Sequence, residues 1–342
     1  MLLSIIVPVF NVEDYLARCL HSLLDQDLDP HEYEIIVIND GADDGSLAIA
    51  EELALANPNI VVHSQENQGL SVARNAGISL ATGKYISFVD SDDYVAAQVL
   101  GDLVRLMDRQ NVQVLGFSHL DVGPEGYVRR PRIEYDISRV VEVTTGMQYV
   151  ATQQYYPNTV WWYMVSRAFL IDLGIQFEVG RLVEDAIFTA NVICAASRFA
   201  FLPIDIYRYV HRPGSTMRTR TTASTKKMVA DYERVVFGLE ELRQRLLTSD
   251  TTPAGLLNRL VNRQQSFVFF LIGRLLRSDI PPRPILLEAL ERLRAIDMYP
   301  LKGFTGRDYT GMRYTFLTFV FNREYLLYPF IRIYRSVRGL RR

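Results

Sequence analysis

The sequence predicts an α/β fold, a mainly parallel sheet flanked by helices, followed by an α-helical C-terminal region. Three observations carry this prediction. In the N-terminal third, short apolar runs with a β-branched bias alternate with helical stripes, the pattern of strands covered on both faces. From Thr222 onward the periodicity is helical almost throughout. Between them, an apolar run over 84–89 ends abruptly in Asp90-Ser91-Asp92-Asp93. That puts carboxylates at the carboxyl end of a buried strand, where open α/β sheets bind ligands.

Taken in order, residues 3–9 form the first strand, closed by Pro8 and Asn11. Asn11 is placed to cap the next helix, with Asp14 three residues on as in a capping box. That helix carries Val12, Tyr15, Leu16, Cys19, Leu20, Leu23 and Leu24 on one stripe. Residues 34–38 form a second buried strand and run into the turn Asn39-Asp40-Gly41-Ala42-Asp43-Asp44-Gly45-Ser46. A helix with Ile49, Ala50, Leu53 and Ala54 inward leads to a short third strand at 60–63. The third helix spans 70–80 and is closed by Gly83 as its C′ residue. The Asp-ended strand follows.

Further strands are predicted at 112–118, as short edge strands over 127–143, and over 199–209, with a helix at 183–196. Helices over 228–247, 254–276 and 284–296 fill the C-terminal part, with Pro281-Pro282-Arg283-Pro284 as the clearest breaker. A boundary near 220 separates a domain at 1–220 from a helical region at 221–342.

Composition narrows the function classes. The chain has 342 residues, 49% hydrophobic and 22% charged, with a net charge of −2. That balance suits a globular protein of about two domains and argues against a nucleic-acid binder. Cys19 and Cys194 suggest neither a disulfide framework nor a zinc cluster, which fits a reducing cytosol. No basic stretch precedes the first strand, so no signal peptide is read, and no apolar run is long enough to span a bilayer. Residues 313–342 combine aromatic, aliphatic and arginine side chains with hardly any acid. Such a segment either lies on an anionic membrane surface or packs on the rest of the protein.

The acidic strand end has a chemical reading. Crowded carboxylates repel unless a cation joins them, and hard oxygen ligands suit Mg²⁺ or Mn²⁺. Mg²⁺ takes one or two protein carboxylates and completes its shell with water and phosphate oxygens. A metal–diphosphate site is therefore expected, with a solvated turn in which Asp93 caps a helix as the alternative. Asp40 can accept a hydrogen bond from the imide of uracil or thymine, or merely form a turn. Arg74, on the third helix, can pair with a phosphate or with the carboxylate cluster. Small residues at Ala73, Ala76 and Gly77 let that helix pack closely.

Four stretches in order resemble the signature of family-2 glycosyltransferases. They are Ser4-Ile5-Ile6-Val7-Pro8-Val9-Phe10-Asn11, Ile38-Asn39-Asp40-Gly41-Ala42-Asp43-Asp44-Gly45-Ser46, Asn67-Gln68-Gly69-Leu70-Ser71-Val72-Ala73-Arg74-Asn75-Ala76-Gly77 and Phe88-Val89-Asp90-Ser91-Asp92-Asp93. The resemblance runs over roughly 1–215 and implies an inverting, nucleotide-sugar-dependent enzyme of the GT-A fold. It implies a nucleotide pocket built from Pro8, Phe10, Asn11, Glu13, Asp40, Asn67, Gly69, Arg74, Asp90 and Ser91. Asp40 would read uracil, and Asp92 would be the direct ligand of Mg²⁺ or Mn²⁺. The turn departs modestly, with Asn39-Asp40-Gly41-Ala42 where the family commonly has Asp-Asp-Gly-Ser.

The Glu-Asp motif of the family matches Glu184-Asp185, making Asp185 the catalytic base and Glu184 an acceptor contact. Trp161 aligns with a family tryptophan on the acceptor side, although Trp162 and Tyr163 replace the Asn and Lys that follow it. The segment from Tyr207 to Thr216 resembles a Tyr-x-Tyr…Gly-Ser element, with His211 and Arg212 toward the diphosphate. The resemblance thus implies transfer of a hexosyl or N-acetylhexosaminyl group from a UDP-sugar, with dTDP as the alternative. The acceptor would be a saccharide or lipid-linked saccharide in bacterial surface polysaccharide assembly, at the cytoplasmic face of the membrane. The rival is a catalytically inactive protein of the same fold that serves as a membrane-surface interaction module.

Overall fold

The computed structural model describes residues 1–123, 141–153, 155–211, 221–276, 282–302 and 311–339. The edge strands expected over 127–143, Arg212 and the last three residues lie largely or wholly outside them. The chain divides into two compact units. The first comprises Met1–Gly146, Pro157–Gly180 and Asn191–Pro213, and the second Met147–Tyr156, Arg181–Ala190 and Gly214–Arg342.

The first unit is built on a sheet of nine strands. Strands β1 (Leu3–Val9), β2 (Tyr33–Asp40), β3 (Ile60–Gln65) and β4 (Tyr85–Phe88) are parallel, in the order β3-β2-β1-β4. Every residue of β1, β2 and β4 is buried, as their largely apolar sequences lead one to expect. β8 (Tyr163–Ser166) then enters antiparallel to β4, with Ile86 opposite Val165. β6 (Val114–Val122) pairs antiparallel to β8 and parallel to β9 (Phe199–Val210). Two short strands, β5 (Tyr94–Val95) and β7 (Val143–Thr144), pair with β9. The stretch predicted as one or two strands over 199–209 is one twelve-residue strand.

Helices α1 (Glu13–Leu24), α2 (Ser46–Ala56), α3 (Leu70–Leu80) and α4 (Leu100–Gln110) cover the sheet. Leu16, Cys19, Leu20 and Leu23 form the buried stripe of α1. The capping box expected at Asn11 is not formed. Val12 is the N-cap residue and makes no side-chain cap bond, while Asn11 has φ +51° and accepts the Asp43 N–H through Oδ1 at 3.0 Å. The start of α1 is satisfied from the following turn instead. Asp44 Oδ2 accepts the Glu13 N–H at 3.0 Å and Ser46 Oγ accepts the Val12 N–H at 3.0 Å. Gly83 is likewise not a helix C′ residue, since α3 ends at Ala81 with φ −60°. A Cβ at Gly83 would lie 2.5 Å from the Ser4 nitrogen, so the glycine allows close approach to β1.

The shorter helices are α5 (Gly146–Thr152), α6 (Arg167–Leu173) and α7 (Glu184–Ala195). The second unit is dominated by α8 (Thr222–Leu247), α9 (Leu256–Leu276), α10 (Pro282–Ala295), α11 (Met312–Phe321) and α12 (Glu324–Gly339). Its core joins Met228, Val235, Val236 and Leu239 of α8 to Leu260, Val268 and Ile272 of α9. Buried Gln264 ties the pair by donating to the Val236 carbonyl and Glu240 Oε2, both at 3.0 Å.

Candidate active site

The parallel register brings the ends of β1, β2, β3 and β4 to one edge of the sheet. Pro8 stands opposite Ile38, Asp40 opposite Gln65, and Ile6 opposite Phe88. The sequence motifs that end these strands therefore meet in space, within the first unit.

Asp40 is only 4% exposed and strongly engaged. Its Oδ1 accepts Gln65 Nε2 at 2.7 Å and the Gln68 N–H at 2.9 Å, and its Oδ2 accepts the Gly69 N–H at 2.8 Å. The carboxylate thus closes the β2 turn onto the start of α3. Gly41, at φ +69°, makes this possible, because a Cβ there would stand 2.8 Å from the Asn67 nitrogen. Gly69, at φ +90°, is the N-cap residue of α3. Asn67 is exposed, as are Asn11, Glu13 and Phe10. Glu13 Oε2 accepts the Gly45 N–H at 2.7 Å, so Glu13 and Asp44 clamp the β2–α2 turn to α1 reciprocally.

The second group surrounds the end of β4. Arg74 projects from α3, is 2% exposed, and forms an ion pair with Asp90 Oδ1 at 2.8 Å. Phe177 lies beneath the guanidinium, 5.4 Å from ring centre to Cζ. Ser91 is buried and Asp92 half-buried. Asp93 is 1% exposed and accepts two short hydrogen bonds, from the Tyr207 hydroxyl at 2.7 Å and the Val210 N–H at 2.7 Å. Burial, then the charges of Asp92 and Asp90, push the Asp93 carboxyl well above the ordinary range. Burial and the same three carboxylates push the Cys19 thiol up as well.

Two further residues hold this turn, and of them Arg18 carries no sequence signal of its own. Arg18 donates to the Asp92 carbonyl at 3.5 Å and lies over the Tyr94 ring at 4.9 Å. Tyr207 accepts the Asp90 N–H at 3.1 Å while donating to Asp93. Its sequence trace is the Tyr-x-Tyr element noted above, whose alternation with Tyr209 along β9 puts both rings on one face, but the pattern does not assign it to the acidic turn. Trp161 stacks on Tyr207 at 4.3 Å and 8° and on Tyr209 at 5.8 Å, is met edge-on by His119 at 4.8 Å, and is itself 4% exposed. His211 pairs with Asp121 at 2.9 Å.

Glu184 and Asp185 belong to the second unit, as the first two residues of α7. Glu184 is buried and Asp185 partly so. The residues just before them are fixed by Asp231 of α8, itself 2% exposed. Asp231 accepts the Leu182 N–H at 2.9 Å and pairs with Arg181 at 3.2 Å. Gly238 lets α8 approach α7, since a Cβ there would be 2.5 Å from Ile187 Cδ1.

Among the described residues no three His, Cys, Asp or Glu side chains form a ready-made metal cage. The donor set still fits a hard divalent ion bound with a diphosphate. Asp90 and Asp92 bring two carboxylates to the end of β4, as many as such an ion takes from protein before phosphate oxygens complete its shell.

Comparison with known proteins agrees with this geometry. The family model described as Glycosyl transferase family 2 matches residues 4–172. EpsJ of Bacillus subtilis, described as an uncharacterised glycosyltransferase, is 34% identical over 218 residues, covering 63% of this chain and 62% of EpsJ. The glycosyltransferase GlyA of Streptococcus pneumoniae is 29% identical over 230 residues, 64% of this chain and 32% of GlyA. The chain thus spans less than two thirds of the length of either relative. The crystal structure of Staphylococcus aureus TarS 1–349 in complex with UDP-GlcNAc superposes with a TM-score of 0.66, covering 95% of this chain and 91% of that one at 22% identity. TarS is a poly(ribitol-phosphate) beta-N-acetylglucosaminyltransferase. The superposition shows that the two chains share the GT-A fold.

Proposed function

From the premise that residues 4–172 belong to glycosyl transferase family 2, we propose that this chain is an inverting glycosyltransferase acting on a UDP-sugar. The observation that carries the reading is the convergence of Asp40, Arg74, Asp90 and Asp92 on one sheet edge. A nucleotide laid across that edge would place its base toward Asp40 and its diphosphate toward Asp92. Asp40 keeps acceptor capacity on Oδ2, which holds a single bond from the chain. Uracil, with thymine as the alternative, offers the matching imide N–H. Pro8, Phe10, Asn11, Glu13, Asn67 and Gly69 line the nucleotide side in this reading, and His211 is assigned to the diphosphate side.

Arg74 pairs with the Asp90 carboxylate, and Tyr207 and Arg18 hold the backbone of the turn that presents Asp92. Mg²⁺ or Mn²⁺, bound by Asp92 and the diphosphate oxygens, would supply the Lewis acid that neutralises the leaving group. Asp185 would take the proton of the acceptor hydroxyl as its oxygen bonds to C1 of the sugar. The C1–O bond to the diphosphate breaks on the opposite side, which inverts the configuration. The local dipole at the start of α7 favours the ionised form of such a base. Glu184 and Trp161 are assigned to the acceptor side.

TarS and the named relatives support a place in bacterial surface polysaccharide or teichoic acid assembly, with a saccharide or lipid-linked saccharide as acceptor. The enzyme would then work in the cytoplasm, at the inner face of the membrane. The test is a thermal-shift panel of nucleotides and nucleotide sugars with and without Mn²⁺, since a ligand of the native state raises the midpoint. A Mn²⁺-dependent shift confined to UDP or dTDP species is expected. No shift with any nucleotide would overturn the reading in favour of an interaction module.

A further inference from the structure

We infer that the outward face of α11 and α12 is a docking surface for an anionic lipid bilayer. Both helices already bury one apolar face, through Val320 and Phe321 of α11 and Leu327 and Ile331 of α12. Phe321 packs on Phe269 at 5.0 Å between ring centres, and the Tyr299 hydroxyl donates to the Phe321 carbonyl at 2.7 Å. A helix with one buried face normally turns polar side chains outward. These two do not. Met312, Phe316 and Phe319 recur at i, i+4 and i+7 on α11, and Tyr325, Ile333 and Val337 follow on α12, all between 49% and 91% exposed. Phe316 meets Phe330 edge-on at 5.9 Å, which joins the two helices at their apolar margins. A second apolar face of this extent marks an interaction site.

Charge identifies the occupant. Residues 312–342 contain seven arginines against one glutamate, a net of +6, which leaves −8 on the rest of the chain. Arg313 and Arg332 are exposed beside the apolar side chains. A second copy docked on this face would set like charges opposite one another, and protein interfaces generally deplete charge at their apolar centre. An anionic bilayer meets both features at once, since aromatic and aliphatic groups enter the headgroup boundary while arginines reach the lipid phosphates. Among the described residues no helix is long and apolar enough to cross a membrane. The contact is therefore peripheral, and it does not depend on the transfer chemistry.

Co-sedimentation of the full chain with vesicles tests this. Binding to phosphatidylglycerol–phosphatidylcholine vesicles is expected, with loss on pure phosphatidylcholine and weakening as salt rises. Arg313→Gln with Arg332→Gln should weaken binding about fivefold per arginine. Phe316→Ser with Ile333→Ser should weaken it at least tenfold, roughly the loss of two apolar side chains from the boundary. Both arginines are exposed, so an unchanged melting temperature and unchanged UDP binding in that variant separate docking from folding and from nucleotide binding. Equal binding to both vesicle types, or binding to neither, overturns the inference. So does a dimer in solution that Phe316→Ser with Ile333→Ser dissociates.

Discussion

The Tyr207 hydroxyl donates to Asp93 Oδ2 at 2.7 Å, and the same oxygen accepts the Asp90 N–H at 3.1 Å. One phenol thereby joins β9 to both ends of the acidic turn. Tyr207→Phe keeps the ring stacked on Trp161 but leaves a buried carboxyl and a backbone N–H each short of a partner. A stability loss of about 1–3 kcal/mol is expected in chemical denaturation, together with weaker Mn²⁺-dependent UDP binding. Wild-type stability in this variant would show that the turn holds itself.

Asp185→Asn separates binding from chemistry. The amide keeps the size of the side chain but cannot take the acceptor proton, so transfer should fall by roughly 10²–10⁴ while UDP binding persists. Asp92→Asn should do the converse and abolish the Mn²⁺ dependence of UDP binding measured by calorimetry. Full transfer by Asp185→Asn would remove Asp185 from the base role.

Glu240 provides a pH signature in the second unit. Burial alone would raise its carboxyl, but hydrogen bonds from Arg243 at 2.6 Å, Gln244 at 2.6 Å and Gln264 at 3.0 Å hold it at about 2. The folded-state pKa lies below the unfolded one, so this stabilisation is complete above about pH 4.5 and is lost as pH falls toward 2. Glu240→Gln should cost about 1–3 kcal/mol at pH 7. The gap between the two denaturation curves should close as the solution is acidified through that window. A gap that stays constant down to pH 2 contradicts the assignment.

Gly77 of α3 faces Ile6 of β1, and a Cβ there would come within 2.4 Å of Ile6 Cγ2. Gly77→Ala should destabilise by about 1–3 kcal/mol through overpacking. In an Ile6→Ala background that penalty should largely vanish, since the methyl gains the vacated space, and a double-mutant cycle reads the coupling directly.

The parallel half of the sheet was legible because β1, β2 and β4 are buried on both faces and the sequence records this as largely apolar runs. The order of motifs at the strand ends was legible for the same reason. The caps of α1 were not, because they come from Asp44 and Ser46, about thirty residues downstream, and local pattern favours the nearby Asn11. Gly83 looked like a helix stop, yet what requires glycine there is contact with β1, a tertiary fact. Arg74 has the spacing of an ordinary amphipathic-helix arginine, and only the fold reveals that it is buried against Asp90. In the last two helices composition disclosed the mixture of apolar and basic groups. It could not disclose that one apolar face was already occupied.

The direction of β8 has a consequence for how the protein can diversify. Because β8 runs opposite to β4, the chain enters it from the edge where β4 ends, and Trp161 arrives beside Tyr207 just before the strand begins. The nucleotide-side residues ride on the parallel strands and their following turns, whereas the residues ahead of β8 reach the same edge on an independent segment. Insertions or substitutions there can remodel what meets that edge while the register of β1 to β4 stays intact. On the proposed function, acceptor selectivity and donor recognition would occupy separately mutable stretches of one gene.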